Sequence, residues 1–268
     1  MGNRITYHGK EIFYKDVGEG NALVFLHGFT ETCDIWDDFS RELSHSFRII
    51  AIDLPGHGKT GTFGEIHTME LIARVVKEVL DHLYILECLM IGHSMGGYAT
   101  LAFARLYPTV LKGMVLFHSQ AAADSTEAKE NRERMVRLVR ADHSNFIHQF
   151  IPSLFTPENA ARYAAQIAEL SLQASRITPA SIIAALEGMK QRRDQTDLLA
   201  EVDFPVYFIA GKKDIRIPAS LVMQQAAIPS HSEVLLMGNV AHMGYIESRD
   251  VTLQAVRGFA LRTFGLYS

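Results

Sequence analysis

The chain has little of what marks a secreted or membrane protein. It contains only two cysteines, Cys33 and Cys88, in 268 residues. Two are too few for a disulfide framework and fit a reducing compartment. Cys88 opens an apolar run and reads as a core residue. No apolar run reaches the ~18 residues of a membrane helix, which argues against stable anchoring in a bilayer. The first residues, Met1-Gly2-Asn3-Arg4-Ile5-Thr6, lack the apolar stretch of a secretory signal. They match a myristoylation pattern on paper, yet no polybasic patch or second lipid site accompanies it, and Ile5 and Thr6 read as a first strand. A cytoplasmic location is expected. Positive charge is not in excess either. With 26 Lys+Arg against 30 Asp+Glu, there is no electrostatic case for a nucleic-acid partner. Internal repeats and low-complexity tracts are absent.

What is present is a regular alternation of apolar patterns. The length fits one large domain, or a domain carrying an insertion. Residues 5–7 and 11–15 flank His8-Gly9-Lys10 and read as a β-hairpin. Short apolar runs at 22–26, 48–52, 89–91, 114–117, 206–210 and 233–237 read as strands, most of them unbroken enough to be buried on both faces. Helical spacing fills the intervals at 36–43, 68–83, 99–107 and 251–264. Strands alternating with helices predict a mostly parallel sheet covered on both sides. Between 119 and 199 the alternation stops, and only helical patterns appear, at 126–140, 145–150, 158–172 and 179–189. We therefore expect a core of residues 1–118 and 200–268, with 119–199 as a helical cap over the strands' C-terminal edge, where α/β sheets bind ligands.

The central stretch is Leu89-Met90-Ile91-Gly92-His93-Ser94-Met95-Gly96-Gly97-Tyr98. An apolar strand runs into Gly-His-Ser-Met-Gly and then into a helix, so Ser94 sits at a strand-to-helix corner. Such a corner lifts a hydroxyl above the sheet and needs neighbours without bulky Cβ groups. A G-x-S-x-G alone recurs by chance about once in ten chains of this length, so its weight comes from context.

That context is His27-Gly28-Phe29, Asp53-Leu54-Pro55-Gly56-His57-Gly58, the Ser94 motif with Gly97, Gly211-Lys212-Lys213-Asp214 and Val240-Ala241-His242-Met243, in that order. Together they identify a sequence that resembles the α/β-hydrolase superfamily, specifically its small, capped, esterase-like serine hydrolases. The resemblance covers essentially the whole chain. It implies an α/β-hydrolase fold, a mostly parallel eight-stranded sheet flanked by helices with a helical cap. It is specific for fold and poorly specific for substrate.

A serine hydroxyl is a weak nucleophile at neutral pH and needs an imidazole to take its proton and a carboxylate to orient that imidazole. The family's chain order is Ser, acid, His. Asp214 follows the strand ending at Ala210-Gly211, and His242 follows the last strand, so both fall on the sheet edge that carries Ser94. A lone Asp after a strand is ordinarily a turn or capping residue, and a lone loop histidine a surface residue; their order behind Ser94 makes them the expected acid and base. Asp124, beyond the strand ending at Phe117, is the rival for the acid. His93 is expected to pack away from the pocket, and His27 and His57 to act as structural hydrogen-bonders. The resemblance assigns the oxyanion-hole amides to Phe29 and Met95, whose side chains are then free to line the substrate pocket.

In the insertion, residues 130–140 form a basic amphipathic pattern, read as a solvated cap face with Met135, Leu138 and Val139 turned inward. Phe146, Phe150, Leu154 and Phe155 suggest a largely apolar pocket. The expected activity is hydrolysis of a small carboxylic ester through an acyl-enzyme on Ser94, with no metal or organic cofactor. Its rate should fall below about pH 6 to 7, where an imidazole base protonates. Carbon–carbon bond hydrolases, thioesterases, lactonases and perhydrolases share the same residues. A ligand receptor or signalling partner on the same scaffold is the alternative outside enzymes. Ser94 disfavours dehalogenases and epoxide hydrolases, which place Asp there. The oligomeric state is not legible.

Overall fold

The computed structural model describes residues 2–266. Eight strands make one sheet: β1 (Gly2–Tyr7), β2 (Lys10–Val17), β3 (Ala22–Leu26), β4 (Arg48–Ile52), β5 (Cys88–His93), β6 (Leu111–Phe117), β7 (Val206–Gly211) and β8 (Ser232–Met237). Their spatial order is β1-β2-β4-β3-β5-β6-β7-β8. β2 pairs antiparallel with β1 and β4, and every later pair is parallel. Met1 of the lipidation pattern lies outside the described residues, while Gly2 is already paired with Lys15. The hairpin closes through His8 (φ 48°) and Gly9 (φ 74°), two left-handed residues whose twist matches the flanking strands.

The unbroken apolar runs became the middle of the sheet. β3, β5 and β7 are buried at every position, as strands flanked by helices on both faces must be. The helices that cover them are α1 (Asp37–Leu43), α2 (Met69–His82) and α3 (Met95–Leu106) before the insertion. α2 begins where Thr68 Oγ1 accepts from the Leu71 amide, and its Ile72, Val75, Val76 and Val79 face the core.

Between β6 and β7 the described residues contain helices and no strand: α4 (Thr126–Ala141), α5 (His143–Phe150), α6 (Pro157–Arg162), α7 (Ala164–Ser175), α8 (Pro179–Lys190) and α9 (Leu198–Glu201). After β7 come α10 (Ala219–Ala226), α11 (Gly244–Glu247) and α12 (Arg249–Thr263). Two details differ from the sequence pattern. The single helix expected over 158–172 is broken at Tyr163, where the chain is tied to α11 and to the loop before it. Asn159 Nδ2 donates to Asn239 O (2.9 Å) and Glu247 Oε2 (2.5 Å), and Tyr163 Oη donates to Glu247 O (3.3 Å). Leu138, expected inward, is 46% exposed, because α4 turns Val136 and Val139 to its neighbours instead.

The parallel strands all end on one edge. The loops leaving β3, β5, β6, β7 and β8 there carry Phe29, Ser94, His118, Asp214 and His242.

Candidate active site

Ser94 occupies a strained corner between β5 and α3, with φ 48° and ψ −111°, a region L-residues rarely enter. The strain is held by its surroundings. The Ser94 amide donates to Phe117 O (2.9 Å), and Ser119 Oγ donates to Ser94 O (2.8 Å). A Cβ at Gly92 would sit 2.4 Å from the backbone of Gly96, and one at Gly96 would sit 2.5 Å from Leu26 O. The two glycines of the motif are thus required by backbone-to-backbone approach rather than by flexibility.

Above the corner, Ser94 Oγ and His242 Nε2 are 2.9 Å apart, and His242 Nδ1 lies 2.7 Å from Asp214 Oδ2. Asp214 accepts from four donors. Oδ1 takes the amides of Arg216 (2.9 Å) and Ile217 (3.1 Å), and Oδ2 takes His242 and also His118 Nδ1 (3.1 Å). Burial pushes the Asp214 carboxyl up, but the charge of His242 and the hydrogen bonds from His118 and His242 outweigh it and hold the group well below the usual carboxylate range. His118 is fully buried, and burial lowers its pKa to about 4, so it faces Asp214 as a neutral Nδ1–H donor. Its Nε2 has no partner.

A second buried acid lies beneath the corner. Glu31 Oε2 accepts from the Gly28 amide (2.5 Å) and His93 Nδ1 (2.9 Å), and Oε1 accepts from Tyr245 Oη (3.0 Å). His93 Nε2 lies 3.0 Å from His242 O. Both ring nitrogens of His93 therefore face acceptors, which an imidazolium satisfies and a neutral ring does not. Burial alone would lower the His93 pKa, but the Glu31 carboxylate raises it above the ordinary value. The Glu31 carboxyl is in turn pushed up by burial and held down by His93. One ion pair thus ties the Gly28–Phe29 loop, the corner and the His242 loop together. The Phe29 and Met95 amides flank this assembly, and neither donates to another protein group among the described residues.

The site opens into a cavity of about 820 Å³ whose wall includes Ser94, His242 and the apolar Phe29, Tyr98, Met135, Leu138, Phe150 and Leu154. A second cavity of about 500 Å³ adjoins it, and the two share Leu154, Ile215, Arg216 and His242. Among the described residues, the His, Cys, Asp and Glu groups clustered closely enough for a metal ion are His118, Asp214 and His242. Both imidazole Nδ1 atoms converge on one carboxylate oxygen to which they are hydrogen-bonded, so the donor set is closed on itself.

The family model for the alpha/beta hydrolase fold matches residues 21–248. The chain belongs to the α/β-hydrolase family. A thermophilic esterase from Thermogutta terrifontis, solved with malate bound, superposes with a TM-score of 0.92 at 29% identity, over 98% of this chain and 99% of that one. A pimeloyl-[acyl-carrier protein] methyl ester esterase of Salmonella heidelberg is 23% identical over 92% of this chain and 96% of its own length. The dihydrolipoyllysine-residue acetyltransferase component of the acetoin cleaving system of Pseudomonas putida is 28% identical over 90% of this chain, which spans 64% of that protein.

In this α/β-hydrolase the structure brings Ser94, Asp214 and His242 together and leaves Asp124 apart. Asp124 is ion-paired with Arg132 and Arg192 at the base of the insertion. His27 donates from Nδ1 to Gly28 O (2.8 Å) and accepts at Nε2 from the Leu54 amide (2.9 Å), and His57 Nδ1 donates to Pro55 O (3.0 Å). Phe29 lines the cavity, as expected, but the Met95 side chain does not. It is fully buried, because α3 packs its first turn onto the sheet and leaves only the Met95 backbone at the corner. Phe150 and Leu154 reach the cavity, whereas Phe146 stacks behind Phe150 (5.3 Å) and Phe155 borders the second cavity. Sequence reasoning passed over His118, Glu31 and Arg216. For His118 a signal existed, its place directly after a strand on the Ser94 edge.

Proposed function

We propose that this protein is a serine hydrolase of small carboxylic esters. The observation that carries the reading is the unbroken chain from Ser94 Oγ to His242 Nε2 (2.9 Å) and from His242 Nδ1 to Asp214 (2.7 Å), set on a strained corner at a cavity wall. In this reading Ser94 Oγ attacks the ester carbonyl carbon while His242 Nε2 takes its proton. The Phe29 and Met95 amides receive the developing oxyanion. His242 then returns the proton to the departing alkoxide, leaving an acyl-enzyme and an alcohol. A water, deprotonated by His242, releases the acid and restores Ser94. Asp214 holds the imbedded imidazole in the tautomer that keeps Nε2 free to act as base. The helices from 119 to 199 act as a cap that supplies most of the apolar wall. The Thermogutta esterase, similar along nearly the whole chain, supports the bond type. The free, buried Cys33 and Cys88 suit a reducing cytoplasm.

The test is initial rates on p-nitrophenyl esters of graded acyl length, wild type beside Ser94→Ala. The variant should lose on the order of 10⁴-fold or more in kcat. A chain-length optimum would size the pocket. Folded wild-type protein inert on the entire series would overturn the esterase reading.

A further inference from the structure

Arg216 stands in the wall shared by the two cavities beside His242. Its guanidinium lies 4.6 Å from the centroid of the Phe150 ring, and Nη2 donates to Ser153 Oγ at 2.8 Å. Its Nε is buried without a partner. No carboxylate is ion-paired with it among the described residues. Asp214, which accepts the Arg216 backbone amide, is fully engaged by two amides and two imidazoles. The other arginines of the cavity are in a different position. Arg132 has a carboxylate partner in Asp124, which it shares with Arg192, and Arg134 is exposed together with Glu127.

A cation on a half-buried, largely apolar wall has lost part of its hydration and gains most from an anion brought to it. The flat, multiply donating guanidinium suits a carboxylate in particular. We propose that Arg216 is an anion-recognition residue and that the ester hydrolysed here carries a free carboxylate, held by Arg216 while Ser94 attacks the ester carbonyl. This rests on the esterase reading above and names its substrate class. The carboxylate could belong to the acyl part, as in a half-ester of a dicarboxylic acid, or to the alcohol part, and the probes below separate the two.

Two matched pairs provide the test. For the acyl part, p-nitrophenyl hemiglutarate is compared with its uncharged methyl ester. For the alcohol part, 3-carboxyphenyl butyrate is compared with 3-methoxycarbonylphenyl butyrate. The wild type should favour the anionic member of one pair by roughly tenfold or more in kcat/KM. In Arg216→Met, which keeps a stem on Phe150 but no charge, that ratio should collapse towards one whatever the absolute rates. Arg216→Lys should keep part of it. No preference in either pair, or a preference surviving in Arg216→Met, would overturn the proposal while leaving the esterase reading intact. If no ester is turned over, that reading fails instead. Calorimetry with glutarate then decides the anion site alone, with binding lost in Arg216→Met supporting it and no binding, or binding unaffected by the substitution, ending it.

Discussion

Asp214 holds two imidazoles on one oxygen, and they share its charge unequally, with His242 at 2.7 Å and His118 at 3.1 Å. His118 shares Asp214 Oδ2 with His242, and in the mechanism proposed above it positions Asp214. Replacing it by Leu should lower kcat/KM by about 10-fold through a looser Asp214, and Asn, which can still donate, should restore most of that. Removing the competing donor should also move the acid limb of the pH–rate profile upward in His118→Leu. A drop in stability with an unmoved profile would reduce His118 to packing. The meeting of Ser94, Asp214 and His242 was legible in the sequence because each follows a strand that ends on the same edge of the sheet. His118, Glu31 and Arg216 were not, because their significance lies in partners far away in sequence. His118 meets Asp214 across 96 residues, and Glu31 meets His93 across 62.

Strands were easier to read than the insertion for a physical reason. A strand buried on both faces is an unbroken apolar run, visible locally, whereas the helices of the insertion are shaped by what they lie against. Tyr163 breaks a helix to meet Glu247, and Leu138 borders a cavity rather than a neighbouring helix. The corner between β5 and α3 allows a direct check. Gly96→Ala forces a Cβ to within 2.5 Å of Leu26 O and 2.7 Å of His27 O, both backbone atoms that cannot yield cheaply. Urea melts should show a loss of more than about 4 kcal/mol, or no folded protein at all. Gly238→Ala, with nothing within 4 Å of its Cβ, should stay within about 0.5 kcal/mol of wild type. Equal effects from the two would contradict the packing account of the motif.

Among the described residues, four histidines are buried as neutral rings. Burial lowers His27, His67 and His118 to about 4 and His57 to about 3. In the unfolded chain the same groups titrate near ~6.5. Between about pH 6.5 and 4 the unfolded state therefore binds more protons, so stability falls as the pH drops, by about 2–3 kcal/mol per site at pH 4.5. His93 has the opposite sign: its raised value adds stability below about pH 6.5 that is lost only on going more alkaline, so it resists rather than causes acid unfolding. Melting temperature should fall steeply between pH 6.5 and 4.5, and His67→Asn should flatten the slope even where it lowers the plateau. A melting temperature constant over that interval would show that these rings are not buried neutral.

The Glu31 ion pair has a bearing on biosynthesis. Tyr245 and Glu31 are 214 residues apart, and His93 reaches the His242 carbonyl across 149. A chain growing on the ribosome displays its serine corner long before the segment that supplies His242 and the Tyr245 hydroxyl to Glu31. Contacts this distant form late because so much chain entropy must be surrendered first. Until then Glu31 and His93 have each other but not their full set of partners. In the mechanism proposed above, a nascent chain stalled before residue 242 is a nucleophile without a base.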